Sequence, residues 1–232
     1  MDDVVTYSPF VASGIRITVA LSLLSLLVAV FLGLLGAWAK LSGSRAARRI
    51  AGLYTTLIRG VPDLVLMLLL YFGGQMALNR LGAITGLWKH VELDAFTAGV
   101  LAIGFIFGSY MTETFRGAAL AIPRGQIEAG LASGMSRPVL FRRIIWPQLV
   151  RYALPSFTNI WLTLMKTTAL VSVIGLEDLV YNGYAAGKAT RMPFTFMFVV
   201  LMTYLAMTAI SDLGLRWLDR RYSAHVRAER PA

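Results

Sequence analysis

Residues 17–39 read ITVALSLLSLLVAVFLGLLGAWA, without one charged side chain. About 20 such residues, wound into a helix, cross the hydrocarbon core of a bilayer. The run is longer than the apolar core of a secretion signal. The start MDDVVTYSPF is acidic where a signal is basic, so the run reads as a retained span. A chain that opens this way is committed to lipid, and the rest must be read on that footing.

The composition agrees. Of 232 residues, 57% are hydrophobic and only 15% charged, too little polar surface to cover a soluble core of this size. There is no cysteine, which excludes disulfides and thiolate metal sites. His90 and His225 stand far apart, so no metal centre is expected. The plain reading is an all-α integral membrane protein, one transmembrane domain over residues 1–232 with no soluble module.

Five spans are expected, near residues 15–39, 53–78, 95–116, 148–176 and 192–215. Pro62 and Pro155 interrupt the second and fourth, and such breaks are tolerated where neighbouring helices or a watery cavity satisfy the freed backbone groups. Lys and Arg crowd alternate connections. Lys40, Arg45, Arg48 and Arg49 follow the first span. Arg116, Arg124, Arg137, Arg142, Arg143 and Arg151 lie between the third and fourth, and Arg216, Arg220, Arg221, Arg227 and Arg230 follow the fifth. The dense side is cytoplasmic by the positive-inside rule, which puts the N-terminus outside and the C-terminus inside. The net charge of +10 is thereby used by topology, and no aromatic-interleaved basic face suggests nucleic acid.

The longest inner connection contains IEAGLASGMSRPVLFRRIIWPQ. Residues 125–133 favour a helix, and Gly134 suits its end because glycine accepts left-handed backbone angles. Ser136 is placed to cap a second helix, with Pro138 in its first turn, running on to Trp146. Ile127 and Leu131 share one face, as do Leu140 and Ile144. This helix–turn–helix elbow suits docking to a cytoplasmic protein, or lying on the bilayer surface.

The spacing Glu128-Ala129-Gly130, three residues, Gly134, nine residues, Ile144, two residues, Pro147 resembles the coupling motif of ATP-binding-cassette importer permeases. Gly130 replaces an alanine of that motif and Trp146 a leucine. YTTLIRGVPDLVLMLLLYFG, YMTETFRGA and TALVSVIGLEDL are similar to the polar amino-acid branch. RGVPDLVLMLL and TETFRG resemble the Q-type membrane subunits of importers for histidine, lysine, arginine and ornithine. The resemblance covers nearly the whole chain. It implies a type I importer permease of the bacterial inner membrane whose elbow, about residues 125–147, couples to an ATPase through Glu128, Ala129, Gly130, Gly134, Arg142, Ile144 and Pro147. It also implies a heterodimer with a similar M-type permease, two copies of a cassette ATPase that bind the ATP and Mg, and a periplasmic substrate-binding protein. No cofactor is then expected in this chain.

Charges inside spans are costly and mark functional candidates, ~2.5–3.5 kcal/mol each at a span centre. Asp63 and Glu113 are acids that could face a path for a cationic amino acid, and Lys166 could meet a substrate carboxylate or snorkel outward. The alternative for the acids is internal pairing, Asp63 with Arg59 and Glu113 with Arg116. Gly104 and Gly108 are expected to pack within the subunit. Glu177 and Asp178 fall in an outer loop, to touch the binding protein or form a solvated turn. GYAAGKAT, residues 183–190, mimics a phosphate loop with the wrong spacing and no magnesium-binding hydroxyl. A secondary transporter or channel would need coupling acids, a filter or an inverted repeat. A membrane enzyme would need a catalytic set that is not apparent, so neither rival class gains support.

Overall fold

The computed structural model describes residues 2–227, and Arg230 lies outside them. All regular elements among the described residues are helical. Five runs are long and apolar enough to cross a membrane: Thr6–Leu41, Asp63–Thr85, Ala95–Leu120, Arg137–Ile174 and Pro193–Leu218. The number matches the expectation. Several boundaries do not.

Helix α1, Asp2–Leu41, ends before Gly43, and Ser44 then caps α2, Arg45–Arg59, accepting from Ala47 N at 3.3 Å. Helix α2 stops at Gly60-Val61-Pro62, where proline supplies no N–H to continue the ladder. The second span therefore begins at Asp63 rather than residue 53. It comprises α3, Asp63–Leu68, one π-helical segment, and α4, Gly74–Thr85. Helix α5, Ala95–Leu120, is the third span, started by Asp94, whose side chain accepts from Thr97 N at 2.9 Å.

The fourth run is longer than expected. It starts in the elbow, passes through α8, Trp146–Thr167, with Pro155 inside, and tightens into 3-10 geometry over Thr168–Ile174. Gly175 ends it with φ 86°, in the left-handed region. After Gly175 comes no simple loop but helix α9, Leu179–Thr190, before the last helix α10, Pro193–Arg227. The phosphate-loop lookalike is thus helical. Its glycines are there for close packing: a Cβ on Gly183 would stand 2.3 Å from Val200 Cγ2, and one on Gly187 2.9 Å from Pro193 Cα.

The core forms where α5 lies against α1 and α8. Ile103, Ile106, Phe107 and Met111 of α5 are buried there with Leu21, Ala29 and Leu164. Lipid offers side chains almost the same apolar contacts as protein does, so helices associate through close packing of small residues. A Cβ on Gly104 would lie 2.6 Å from Val28 Cβ, and one on Gly108 2.8 Å from Leu32 Cβ. Both glycines therefore pack within the chain, as expected.

Asp178 corrects the reading of a solvated turn. It is fully buried at the α9 N-cap, its Oδ1 accepting from Tyr181 N at 2.8 Å. Beside it Leu179 N donates to Thr18 Oγ1 at 3.2 Å, and Asn182 Nδ2 donates to Phe10 O at 2.9 Å, so α9 is tied to α1. Asp178 Oδ2 and Asn182 Oδ1 are buried without a partner among the described residues. Burial pushes the Asp178 carboxyl up to about 6. A raised acid favours its protonated form when folded, so its stability contribution is complete below 3.8 and lost as pH rises through about 6. The span of that loss is about 3 kcal/mol at 1.36 kcal/mol per unit. Asp178→Asn, which keeps the capping oxygen, is expected to raise the thermal midpoint at pH 7 in detergent and to flatten its pH dependence between 4 and 7. Identical pH profiles for the two proteins would refute the assignment.

Candidate functional site

The elbow is built as its glycine requires. Helix α6, Arg124–Ala132, closes with Met135 N bonded to Gly130 O at 3.1 Å and Gly134 N to Leu131 O at 3.0 Å. This pair of bonds is the Schellman arrangement, with Gly134 at φ 78° in the left-handed position. Ser136 precedes α7, Arg137–Leu140, with Pro138 in the first turn, but its hydroxyl makes no capping bond. The second arm does not end at Trp146. It passes through a π-helical turn, Phe141–Ile145, straight into α8, so the elbow is rigidly continuous with the fourth span.

Gly130, the departure from the alanine of the motif, has a local cause. A Cβ there would meet Leu140 Cδ1 at 2.5 Å and Ile144 Cδ1 at 2.9 Å. Leu140 is buried against it, so the expected Leu140–Ile144 face is the one that closes the elbow. The Ile127–Leu131 pair does not close it, because Leu131 is half exposed. Trp146, the other departure, is half exposed, its ring 6.1 Å from that of Phe141. Glu128, Ala129 and Arg142 are exposed, and a groove of about 410 Å³ between the arms is lined by Gln126, Ala129, Ser133, Arg143, Ile144 and Pro147.

Glu113 lies in a cluster that local spacing revealed only in part. Arg116 Nε donates to Glu113 Oε2 at 2.9 Å, the expected partner, but Lys40 Nζ of α1 donates to Glu113 Oε1. Lys40 also donates to Thr55 Oγ1 of α2 at 2.6 Å. Both carboxylate oxygens are used, and through Lys40 three helices are tied together. Lys40→Met is expected to destabilise the chain by about 2 kcal/mol, the scale of a charged hydrogen bond lost in a part-buried setting. Lys40→Met combined with Glu113→Gln should cost less than the sum of the two single changes. Strict additivity of thermal midpoints in this cycle would deny the coupling.

Asp63 and Arg59 do not pair. The four-residue rule holds within one helix, and Gly60–Pro62 puts the two on different helices. Arg59 instead lies over the Tyr110 ring of α5, Cζ 5.4 Å from the centroid, while Asp63 is half-buried without an ion pair among the described residues. On α8, Ser156, Asn159, Thr163 and Lys166 are all exposed at helical spacing, a polar stripe on a spanning helix. Such a stripe belongs against water or another subunit rather than lipid.

Residues 29–224 match the family of binding-protein-dependent transport system inner membrane components. The chain belongs to this family. It is a multi-pass membrane component of a transport system, not an enzyme. As a family member it resembles the histidine/lysine/arginine/ornithine transport system permease protein HisQ of Escherichia coli strain K12, 47% identical over 95% of this chain and 96% of that one. The octopine transport system permease protein OccQ of Rhizobium meliloti is 41% identical over 90% and 88% respectively. Among solved structures, an amino acid ABC transporter crystallised with histidines matches at TM-score 0.79, with 31% identity over 94% of this chain and 96% of that chain.

Proposed function

We propose that this chain is the permease subunit of an ATP-driven importer for basic amino acids, of the lysine, arginine, ornithine and histidine class. The observation that carries the reading is end-to-end identity of 47% to a permease named for those four substrates. The exposed elbow supports it, because a permease without its own ATPase needs a rigid cytoplasmic surface through which to be driven. In this reading Glu128, Ala129, Gly130, Gly134, Arg142, Ile144 and Pro147 form the part that seats in a cassette ATPase. Two ATPase copies, carrying the ATP and Mg, sit beneath a heterodimer of this chain and an M-type permease, and a periplasmic binding protein delivers substrate. Closure of the cassettes then rocks the fourth span as a body, since the elbow has no flexible joint with α8.

Asp63 and Lys166 are the path groups in this reading, one for the substrate's cationic side chain and one for its carboxylate. Glu113 stands where the inner mouth would be, its carboxylate shared with Lys40 and Arg116. The N-terminus is outside and the C-terminus inside. Cysteine placed at Tyr184 should react with an impermeant thiol reagent in spheroplasts, and cysteine at Ser44 should not; the reverse pattern inverts the topology. The function itself is tested in proteoliposomes. Uptake of lysine is expected only when this chain, a second permease, the ATPase and the binding protein are all present with ATP. Uptake by this chain alone would reject the reading.

A further inference from the structure

Helix α2 presents three faces, and only one of them is used inside the chain. On the first, Ala51 and Thr55 are buried, the Tyr54 hydroxyl donates to Phe105 O of α5 at 2.5 Å, and Thr55 accepts from Lys40 at 2.6 Å. On the second, Ala46, Ile50, Leu53 and Leu57 recur at helical spacing and are all exposed, the last three by more than half. The third carries Arg45, Arg48 and Arg49, exposed and without an ion pair among the described residues. An apolar strip and a basic strip thus lie side by side on one 15-residue helix, the pattern of a helix that rests in a membrane interface.

Its place in the chain agrees. Helix α2 joins the end of the first span at Leu41 to the start of the second at Asp63, so both its ends belong to one membrane face. Trp38, largely exposed one turn before α1 ends, is placed as an interfacial anchor. Further along α2, Tyr54 reaches Phe105 within the third span, so the helix slants from the headgroups into the leaflet with its arginines uppermost. The helix dipole disfavours cations at that end, and α2 contains no acid to offset them. The compensating anion must come from outside the chain. We propose that α2 is a docking surface for an anionic phospholipid. Its acyl chains lie along Ile50, Leu53 and Leu57, and its phosphate is taken by Arg45, Arg48 and Arg49, whose forked N–H donors match phosphate oxygens. Phosphatidylcholine suits the apolar strip equally well but carries its own cation beside the phosphate, so the surface selects headgroups of net negative charge. Because Lys40 bonds both Thr55 and Glu113, a lipid that holds α2 in place also steadies that cluster. This surface is independent of which substrate the chain carries.

The full chain, purified in detergent, is titrated with phosphatidylglycerol or phosphatidylcholine, and bound lipid is counted by native mass spectrometry. Phosphatidylglycerol is expected to bind about tenfold more tightly, a preference that falls as salt is raised. Arg45→Gln, Arg48→Gln and Arg49→Gln together should abolish the preference. Arg124→Gln, Arg137→Gln and Arg220→Gln together remove as much exposed charge and should leave it intact. A second measurement needs no arginine variant. Because the chain has no cysteine, Leu53→Cys places a single spin label on the apolar strip of the assembled complex, in vesicles containing phosphatidylglycerol. Collisions with oxygen, which concentrates in hydrocarbon, should exceed those with a water-soluble nickel chelate. Equal affinity of the unaltered chain for the two lipids, or equal loss of preference in the two triple variants, would overturn the proposal. So would a label shielded from both collision partners, which would show a protein rather than lipid on this face.

Discussion

Gly33→Val is expected to prevent the chain from reaching its folded form in detergent or membrane. A Cβ at Gly33 would stand 2.4 Å from Met111 Cβ and 3.1 Å from the Met111 carbonyl carbon. The neighbour is backbone and the root of a fully buried side chain, so no rotamer change relieves the clash. Helix α1 would have to move off α5, and with it go the contacts of Leu21, Ala29 and Ala37 in the same core. Close packing is most of what holds helices together in lipid. The expected cost is thus at least ~3 kcal/mol, the upper end for overpacking a core. Gly117→Ala provides the control: it lies on the same α5 helix, and a Cβ there meets nothing within 4 Å. That change should be neutral or stabilising by up to ~1 kcal/mol, because alanine is the better helix former. Size-exclusion recovery after heating separates the two. A Gly33→Val protein with the midpoint of Gly117→Ala would mean that the α1–α5 seam is not the core.

What the sequence made legible follows from which forces act locally. The spans could be read because charge along a helix is costly in lipid, a constraint that each segment meets by itself. The elbow turn could be read because Gly134 is at a position where only a residue without a Cβ sits without strain. Pairings across helices could not. Lys40 and Glu113 are separated by 73 positions, and spacing rules see only three or four. The Asp63–Arg59 pairing was lost for the converse reason, a helix break between residues that look adjacent. Helix α9 read as a loop because GYAAGKAT is rich in glycine, a poor helix former. Those same glycines let α9 approach α10, and the Asp178 cap with the Thr18 and Asn182 bonds ties it to α1. Tertiary contacts there outweigh propensity. Tyr110 gave no signal at all, because an aromatic residue in a span is ordinary until a guanidinium is seen on it.

Glu128→Arg is expected to separate folding from coupling. Glu128 is exposed on α6 and makes no ion pair among the described residues, so its reversal disturbs nothing inside the chain. The thermal midpoint of the isolated chain should move by less than ~0.5 kcal/mol equivalent, as for other surface changes. In the proposed complex the same residue would face the ATPase. Two unit charges about 4 Å apart at an effective dielectric near 20 interact by about 4 kcal/mol, and reversal changes the sign. Even a quarter of that swing, about 2 kcal/mol, lowers cassette retention about thirtyfold. Gly134→Pro acts by another route. Proline holds φ near −65° where the turn needs 78°, so the Schellman bonds from Gly134 and Met135 cannot both survive, and α6 is released from Leu140 and Ile144. That protein should keep its spans and bind the cassette weakly, with substrate-stimulated ATP hydrolysis reduced at least tenfold. Gly134→Ala, which tolerates the left-handed angle at a cost of ~1–2 kcal/mol, should fall between the two. The ordering is the decisive measurement, because a helix lying passively on the bilayer would respond to neither charge nor turn. Full substrate-stimulated hydrolysis in both Glu128→Arg and Gly134→Pro complexes, with normal cassette retention, would remove the elbow from the drive train.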